Sequence, residues 1–345
     1  MTPLVIWFNH WFSTAYHIIN LMRSGTKREL HVIGSNRNAE AVIQLACDEW
    51  YTEPSVMSDE EYLRYCLDFC REHSVEVFAP RRGMAVISRN ARLFSEIGVK
   101  LLLDIKSEAV EIFRDKISTY EFLKEAVSEC IPMYRAVNNS EEFDAAYTEI
   151  TACHERAVFK YACDEGAVSF RVIDNSIEGE NALSIAPGMK LTYEAAQRII
   201  TGSGLRSRLL MMPYLKEVEI SADCLATPRG NIIIPRYKSN GRIYTIKHDP
   251  EIVSLCSRIL DAAKLEMPCN IQFKCDGGKP YLLEINTRMS GGVQLSCIGT
   301  GVNIPALALA KLLGEDMEWH MDNEETKVSY IESPVKLPAK ETQTV

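Results

Sequence analysis

Positive charge is scarce in this sequence: 38 Lys and Arg stand against 47 Asp and Glu, a formal net charge of −9 over 345 residues. A polyanion-binding surface needs the opposite balance. Nucleic acid is therefore excluded as an expected partner, although a local basic pocket for one nucleotide needs only a few Lys and Arg. Tight cysteine pairs are also missing. The 11 cysteines form no CxxC; Cys66 and Cys70 lie in a helical stretch, and Cys269 and Cys275 flank a strand. Structural zinc calls for closer pairs with His partners, so buried, reduced thiols of a cytoplasmic protein are expected instead. Long apolar runs are absent too. The opening MTPLVIWFNHWFSTAYHIINLM is broken by Asn9 and His10, too early for a membrane span. It has neither the basic start nor the small-residue cleavage site of a secretory leader. No repeat or low-complexity segment stands out.

What is present suffices for two or three domains: 46% of residues are hydrophobic and 25% charged. Leu4–Phe8, Leu30–Gly34, Val75–Ala79 and Val99–Leu103 read as strands. They alternate with helices over Ser13–Arg23, Glu40–Cys47, Ser58–His73 and Ala85–Ile97. Ser58 is expected to cap its helix, with Glu61 closing the capping box. This alternation predicts right-handed βαβ units and an open parallel sheet, an N-terminal α/β domain over 1–105. Ser107–Cys130 reads as mostly helical. Strands are then expected over Ala157–Tyr161, Ser169–Ile173, Leu209–Met212, Glu217–Leu225 and Asn231–Lys238. Helices are expected over Tyr193–Thr201, Glu251–Leu265 and Asn303–Leu313. The second part thus reads as α+β with antiparallel sheets, divided into segments 106–205 and 206–330. A polar tail, 331–345, is expected to be poorly ordered.

Ile271–Lys274 and Tyr281–Arg288 make a hairpin around CDGGKP. Side chains alternate across a strand, so Leu282, Glu284, Asn286 and Arg288 share one face, while Leu283, Ile285 and Thr287 share the other. If the turn centres near Gly278, Gln272 lies opposite Glu284, with Cβ atoms about 5 Å apart. Magnesium takes oxygen ligands at about 2.1 Å, keeps waters and shares phosphate oxygens. Glu284 and the amide oxygens of Asn286 and Gln272 can form the protein side of such a site. Arg288, one step on, can grip a phosphoryl or carboxylate group bidentately. A merely solvated hairpin face is the competing reading. Ser290-Gly291-Gly292 favours the metal, because small residues let backbone approach a ligand.

The pattern Gln272…Glu284-x-Asn286-x-Arg288 resembles the metal-binding hairpin of the ATP-grasp superfamily. CNIQFKCDGGKPYLLEINTRMSGG is similar to the ATP-grasp domains of carbamoyl phosphate synthase large subunits, and the whole chain resembles stand-alone ATP-grasp proteins of tellurite-resistance-type biosynthetic clusters. The resemblance implies a pre-ATP-grasp α/β domain, a linker helix with a lid subdomain and a C-terminal ATP-grasp subdomain. It implies ATP and Mg²⁺ (or Mn²⁺) as cofactors. Lys160 in AVFKY and Lys116 in RDKISTYEFL would meet the nucleotide, and Arg171 would add charge at the phosphates. Met212, Tyr214 and Leu215 would offer backbone to adenine, and Glu219 would bind ribose. Arg236 and Arg288 would face the transferring group. Two departures from the family pattern stand out. The loop ACDEGAV, meant to wrap phosphates with backbone N–H groups, carries one glycine, Gly166, and two acids, Asp164 and Glu165. Pro213 stands where an acidic residue is usual, and proline cannot donate a backbone hydrogen bond.

The activity this implies is an ATP-dependent carboxylate–amine ligase working through an acyl phosphate, with small-molecule carboxylate and amine partners. Alternatives are a carbamoyl- or carboxy-phosphate-forming enzyme and a non-catalytic nucleotide-binding regulator. No membrane partner is expected, and a homodimer is left open. Asn9, His10, Ser13 and the turn Arg81-Arg82-Gly83 sit at strand C-termini, where open α/β sheets bind ligands, and as a group they are expected on the substrate side.

Overall fold

The computed structural model describes residues 2–55, 57–105, 108–164, 166, 168–177, 188–239, 242–316, 318–338 and 343–344. The chain divides into two compact units. The first comprises Met1–Val110, Ile220–Ile271 and Asn286–Val345; the second comprises Glu111–Glu219 and Gln272–Ile285.

The first unit is organised by strand β1 (Leu4–Asn9), whose sequence LVIWFN is apolar almost throughout because both of its faces are covered. Leu4, Ile6 and Phe8 enter one core, with Ile18, Ile19 and Met22 of the helix Ala15–Gly25 and with Leu307 and Ala308 of the helix Ile304–Leu313. Trp7 points the other way, into a core with Cys66, Phe69, Phe78 and Phe94. Its ring stacks between Phe69 at 4.3 Å and Phe78 at 4.1 Å, and its indole N–H donates to Ser35 Oγ at 2.8 Å. Strands β2 (Leu30–Asn36), β3 (Glu49–Thr52), β4 (Val77–Ala79) and β5 (Lys100–Leu101) complete the parallel sheet in the order β3-β2-β1-β4-β5. The chain leaves β1 for one side of the sheet and returns to β4 on the other. The crevice between the β1 and β4 loops is therefore a topological switch point.

The second unit holds a sheet of β6 (Arg135–Val137), β7 (Ala157–Tyr161), β8 (Arg171–Ile173), β9 (Lys190–Leu191) and β10 (Leu209–Pro213), in the order β6-β10-β7-β8-β9. Its pairs are antiparallel except β8 with β9. Phe143 and Ile150 from the helix Ser140–Cys153 and Ala196 and Ile200 from the helix Tyr193–Ser203 close its core against Phe159, Leu209 and Met211. A third sheet runs β15-β14-β11-β12-β13-β16, from β11 (Glu219–Leu225), β12 (Ile232–Lys238), β13 (Ile243–Ile246), β14 (Cys269–Asp276), β15 (Lys279–Asn286) and β16 (Thr326–Ser329). Strands β11, β14 and β15 each begin in one unit and end in the other.

The expected class is present: an open parallel sheet, then α+β with antiparallel pairing. Ser58 and Glu61 form the anticipated capping box at the helix Asp59–Glu72. Several details differ. The helix expected over Glu40–Cys47 is only a 3₁₀ turn, Val42–Ala46, because β3 follows at once. That strand is too short to show a period. The helix expected over Ala85–Ile97 breaks at Asn90, whose side-chain amide takes the Val86 carbonyl at 2.9 Å. β6, β13, β16 and the helices Ser140–Cys153 and Val293–Thr300 were not anticipated. In the tail, 331–338 has no regular structure, while a last strand, β17 (Gln343–Thr344), pairs parallel with β3. Among the described residues, no single helix is long and apolar enough to cross a membrane.

Trp7 joins the sheet to its outer helix layer, so Trp7→Ala should cost about 3–5 kcal/mol. Urea denaturation followed by far-UV circular dichroism reads this; a loss below about 1 kcal/mol would contradict the packing described.

Candidate functional site

Strand β15, KPYLLEIN, changes the face it buries partway along. Pro280 and Leu282 are buried on one face, and Ile285 is buried on the other. β15 is an edge strand, and an uncovered edge leaves backbone groups unpaired. The helix Lys116–Leu123 supplies the cover. Tyr120, fully buried, donates its hydroxyl to the carbonyls of Leu282 at 3.0 Å and Leu283 at 3.2 Å. One position on, Glu284 is open, with 24% of its side chain exposed.

Four residues before Tyr120, on the same helix face, stands Lys116. Its ammonium lies 3.3 Å from Glu284 Oε2 and donates to the Asp164 carbonyl at 2.6 Å. The start of the helix is fixed by Asp115, which accepts from Ser118 N at 2.9 Å and pairs with Arg208 at 2.7 Å. Lys160, on β7 opposite Leu210 of β10, completes the group. Burial, and next the Lys116 ammonium, push its pKa down to about 8, against the pull of Glu284 and Asp164. The surroundings thus leave the Lys160 charge incompletely compensated, and an anion placed there would relieve it.

The loop between β7 and β8 is held by side chains. Asp164 Oδ2 accepts from Ser169 N at 2.8 Å, and Ser169 Oγ accepts from Tyr161 N at 2.9 Å. Gly166 takes a positive φ of 67°; Glu165 lies outside the described residues. Arg171 donates to the carbonyls of Val168 at 3.0 Å and Phe170 at 2.8 Å, so its guanidinium ties down this loop. Met212 and Leu215 are buried. The Tyr214 N–H is already spent on the Arg156 carbonyl at 2.9 Å, with the Arg156 guanidinium 4.8 Å from the Tyr214 ring. Glu219 opens β11, half-buried. Gln272 is half-buried on β14 between buried Ile271 and Phe273. Lys116, Lys160 and Glu284 are brought together in the second unit.

In the first unit, Arg236 of β12 is buried in a polar network that sequence reading missed. Its Nη2 lies 3.3 Å from each of Asp223 Oδ2, Ser221 Oγ and Ser290 Oγ. Asp223 also accepts from Ser296 Oγ at 2.6 Å and Asn270 Nδ2 at 2.9 Å. The guanidinium lies flat against Gly292, where a Cβ would stand 2.6 Å from Nη1 and 2.7 Å from Cζ. Asn286 Oδ1 accepts from Arg288 Nη2 at 3.2 Å, and the Arg288 guanidinium sits 5.4 Å from the Phe12 ring centre. A signal for Asp223 and Asn270 existed: Ser221 and Asp223 alternate with apolar residues in EISADCL, as do Asn270 and Gln272 in CNIQF.

The N-terminal group is more structural than expected. Asn9 is fully buried; its Oδ1 accepts from Arg81 N at 2.5 Å and its Nδ2 donates to Tyr62 Oη at 2.7 Å, fastening the β4 loop. Arg82 pairs with the fully buried Glu53 carboxylate at 3.0 Å and covers the Tyr62 ring. Gly83 takes the left-handed conformation before the helix Met84–Arg89. His10 is left at the crevice with φ 53°, accepting from Arg37 Nε at 3.0 Å. Burial lowers its pKa. Ser13 is exposed.

Among the described residues, no three or more His, Cys, Asp or Glu are grouped to hold a metal. Magnesium does not need such a group, since one or two carboxylates with ligand oxygens and waters suffice. Glu284, which already accepts a cationic partner on a half-open carboxylate, fits that chemistry.

Residues 206–334 match a family described as ATP-grasp in the biosynthetic pathway with Ter operon. The carbamoyl phosphate synthase large chain of Thermoplasma acidophilum is 23% identical over 277 residues; the match covers 76% of this chain but spans only 25% of that relative's length. Among solved structures, the biotin carboxylase domain of Hydrogenobacter thermophilus 2-oxoglutarate carboxylase, a dimer in complex with MgADP, ADP and bicarbonate, superposes with a TM-score of 0.65. It is 20% identical, over 93% of this chain and 72% of that one. The L-amino acid ligase of Bacillus licheniformis gives a TM-score of 0.62 at 16% identity, over 91% of this chain and 75% of that one.

The Lys160 environment makes a direct prediction. Near pH 8 about half of Lys160 is neutral, whereas a lysine at its ordinary 10.5 is almost wholly charged. Competitive acetylation across pH, read by mass spectrometry, should show Lys160 reacting with a midpoint near 8. Titration alongside the surface lysines would contradict the burial described.

Proposed function

We propose that this chain is an ATP-grasp protein acting as an ATP-dependent carboxylate–amine ligase, a reading supported by the family match of residues 206–334 and by the fold it shares with the biotin carboxylase domain. The observation that carries the reading is the grouping of Lys116 and Lys160 about Glu284, next to the loop between β7 and β8. Two ammonium groups, of which Lys160 has its charge incompletely compensated, suit a triphosphate, and the partly exposed carboxylate beside them suits its magnesium.

In this reading a substrate carboxylate oxygen attacks the γ-phosphorus, the bond to the β-bridging oxygen breaks, and ADP leaves. The amine nitrogen then attacks the acyl carbon of the acyl phosphate. The C–O bond to phosphate breaks, phosphate departs, and the nitrogen loses a proton. Such transfers leave the protein mainly to position groups and stabilise charge, which agrees with a site that offers charged and amide side chains. Lys160 and Lys116 hold phosphate oxygens, and Arg171 orders the covering loop. Met212, Tyr214 and Leu215 border the base, and Glu219 binds the ribose. Glu284, with the amide oxygens of Gln272 and Asn286, would hold Mg²⁺ or Mn²⁺, which supplies neutralising charge for the triphosphate when bound. Arg288 orients the carboxylate. Arg236, kept flat by Asp223 and Gly292, stabilises the transferring group.

A second reading, formation of carboxy-phosphate from bicarbonate, draws on the likeness to the carbamoyl phosphate synthase large chain. One assay separates the two. The protein is given Mg·ATP and a panel of carboxylate–amine pairs, and ADP and phosphate release is followed. Ligation requires release that depends on both an organic acid and an amine, and Glu284→Ala should lower the rate about 10²–10³-fold. Release driven by bicarbonate alone supports the second reading, and ATP turnover indifferent to Glu284→Ala overturns the metal assignment.

A further inference from the structure

The Lys116 ammonium is bonded to two groups that the ligase reading assigns to different tasks. Glu284 is the carboxylate for the metal, and Asp164 belongs to the loop expected over the phosphates. The lysine is buried at 4% exposure, and its backbone is anchored: its N–H donates to the Ala162 carbonyl at 3.1 Å. Only the flexible stem can move, and a lysine stem offers four carbons of reach. A carboxylate oxygen that accepts an ammonium proton can be turned to a divalent ion only against the repulsion between the two cations. That repulsion is strong in a half-buried site.

From this geometry we infer that Lys116 is a tethered cation competing with the metal for Glu284, released when nucleotide phosphates draw its ammonium away. The inference rests on Glu284 being the metal ligand. It has two consequences. Glu284 is withheld from free divalent ions until phosphate oxygens arrive to take the ammonium, so metal and nucleotide bind together. The same movement also breaks the bond to the Asp164 carbonyl, which frees the loop between β7 and β8 to rearrange at the moment the nucleotide enters. Lys116 therefore sets the order in which metal and nucleotide bind.

The test is Mn²⁺ binding to the nucleotide-free full chain, read from the free-ion electron paramagnetic resonance signal. Lys116→Met should bind Mn²⁺ at least about tenfold more tightly than the wild type, since it removes the competing charge and keeps the stem. Lys116→Arg, which keeps a cation, should stay near wild type, and Lys116→Met with Glu284→Gln should lose the gain. Lys116→Gln serves as the charge-free variant if the methionine chain does not fold. Equal Mn²⁺ affinity in wild type and Lys116→Met overturns the inference, as does a gain in Lys116→Arg as large as in Lys116→Met. A parallel titration with ADP present separates this from the reading beneath it. If Glu284→Gln weakens Mn²⁺ binding to the ADP complex but Lys116→Met changes nothing without nucleotide, only the competition fails. If Glu284→Gln leaves the ADP complex unaffected, the metal assignment fails, and the inference with it.

Discussion

The contact between Lys116 and Glu284 is the interaction on which the functional account hangs, and it is made by an ordinary requirement of sheets. β15 is an edge strand, and its outer carbonyls need donors. Tyr120 provides them from a fully buried position, which fixes the rotation of the helix Lys116–Leu123. With Tyr120 committed, Lys116 has one place to go, one turn back on the same face. The residue it meets is the one at which β15 stops burying that face. Satisfaction of backbone polar groups on β15 and the placement of Lys116 beside Glu284 thus follow from the same orientation of one helix.

The second arrangement, around Arg236, follows a different rule. A guanidinium buried to 5% exposure is costly unless it is paired and hydrogen-bonded. Asp223 pairs with it, Asn270 and Ser296 satisfy the remaining oxygens of Asp223, and Gly292 clears a flat surface for it. The planar group is thereby held in one orientation by the protein's own side chains. The N-terminal crevice is built in the same spirit. Asn9, Glu53 and Arg82 are consumed in fastening loops, and His10 is left in a backbone conformation that non-glycine residues seldom adopt.

The parts of the molecule legible in the sequence were those fixed by local chemistry. The Ser58–Glu61 capping box, the alternation of β14 and β15, and the doubly buried run of β1 each announce themselves in a few residues. What escaped depended on distant neighbours. β3 is four residues long and gets its place from Gly34, whose Cβ would fall 2.7 Å from the Trp50 ring. The helix Ser140–Cys153 carries polar residues through most of its length and is defined by three buried positions. In the candidate site, Lys116, Lys160 and Glu284 were named from sequence, and the fold groups them. Arg171, expected to bring charge to the phosphates, donates to the Val168 and Phe170 carbonyls of the neighbouring loop. Asp223 was passed over because a single acid in an apolar strand looks like an exposed residue until the arginine opposite is known.

The central claim is that Glu284 makes nucleotide binding depend on a divalent ion. Calorimetric titration of ATP into the full chain, with and without Mg²⁺, for the wild type and Glu284→Gln, measures this directly. The account predicts that Mg²⁺ strengthens ATP binding to the wild type by at least about tenfold, or about 1.4 kcal/mol, and that Glu284→Gln abolishes the difference. ATP binding of equal strength with and without Mg²⁺ in the wild type would contradict it.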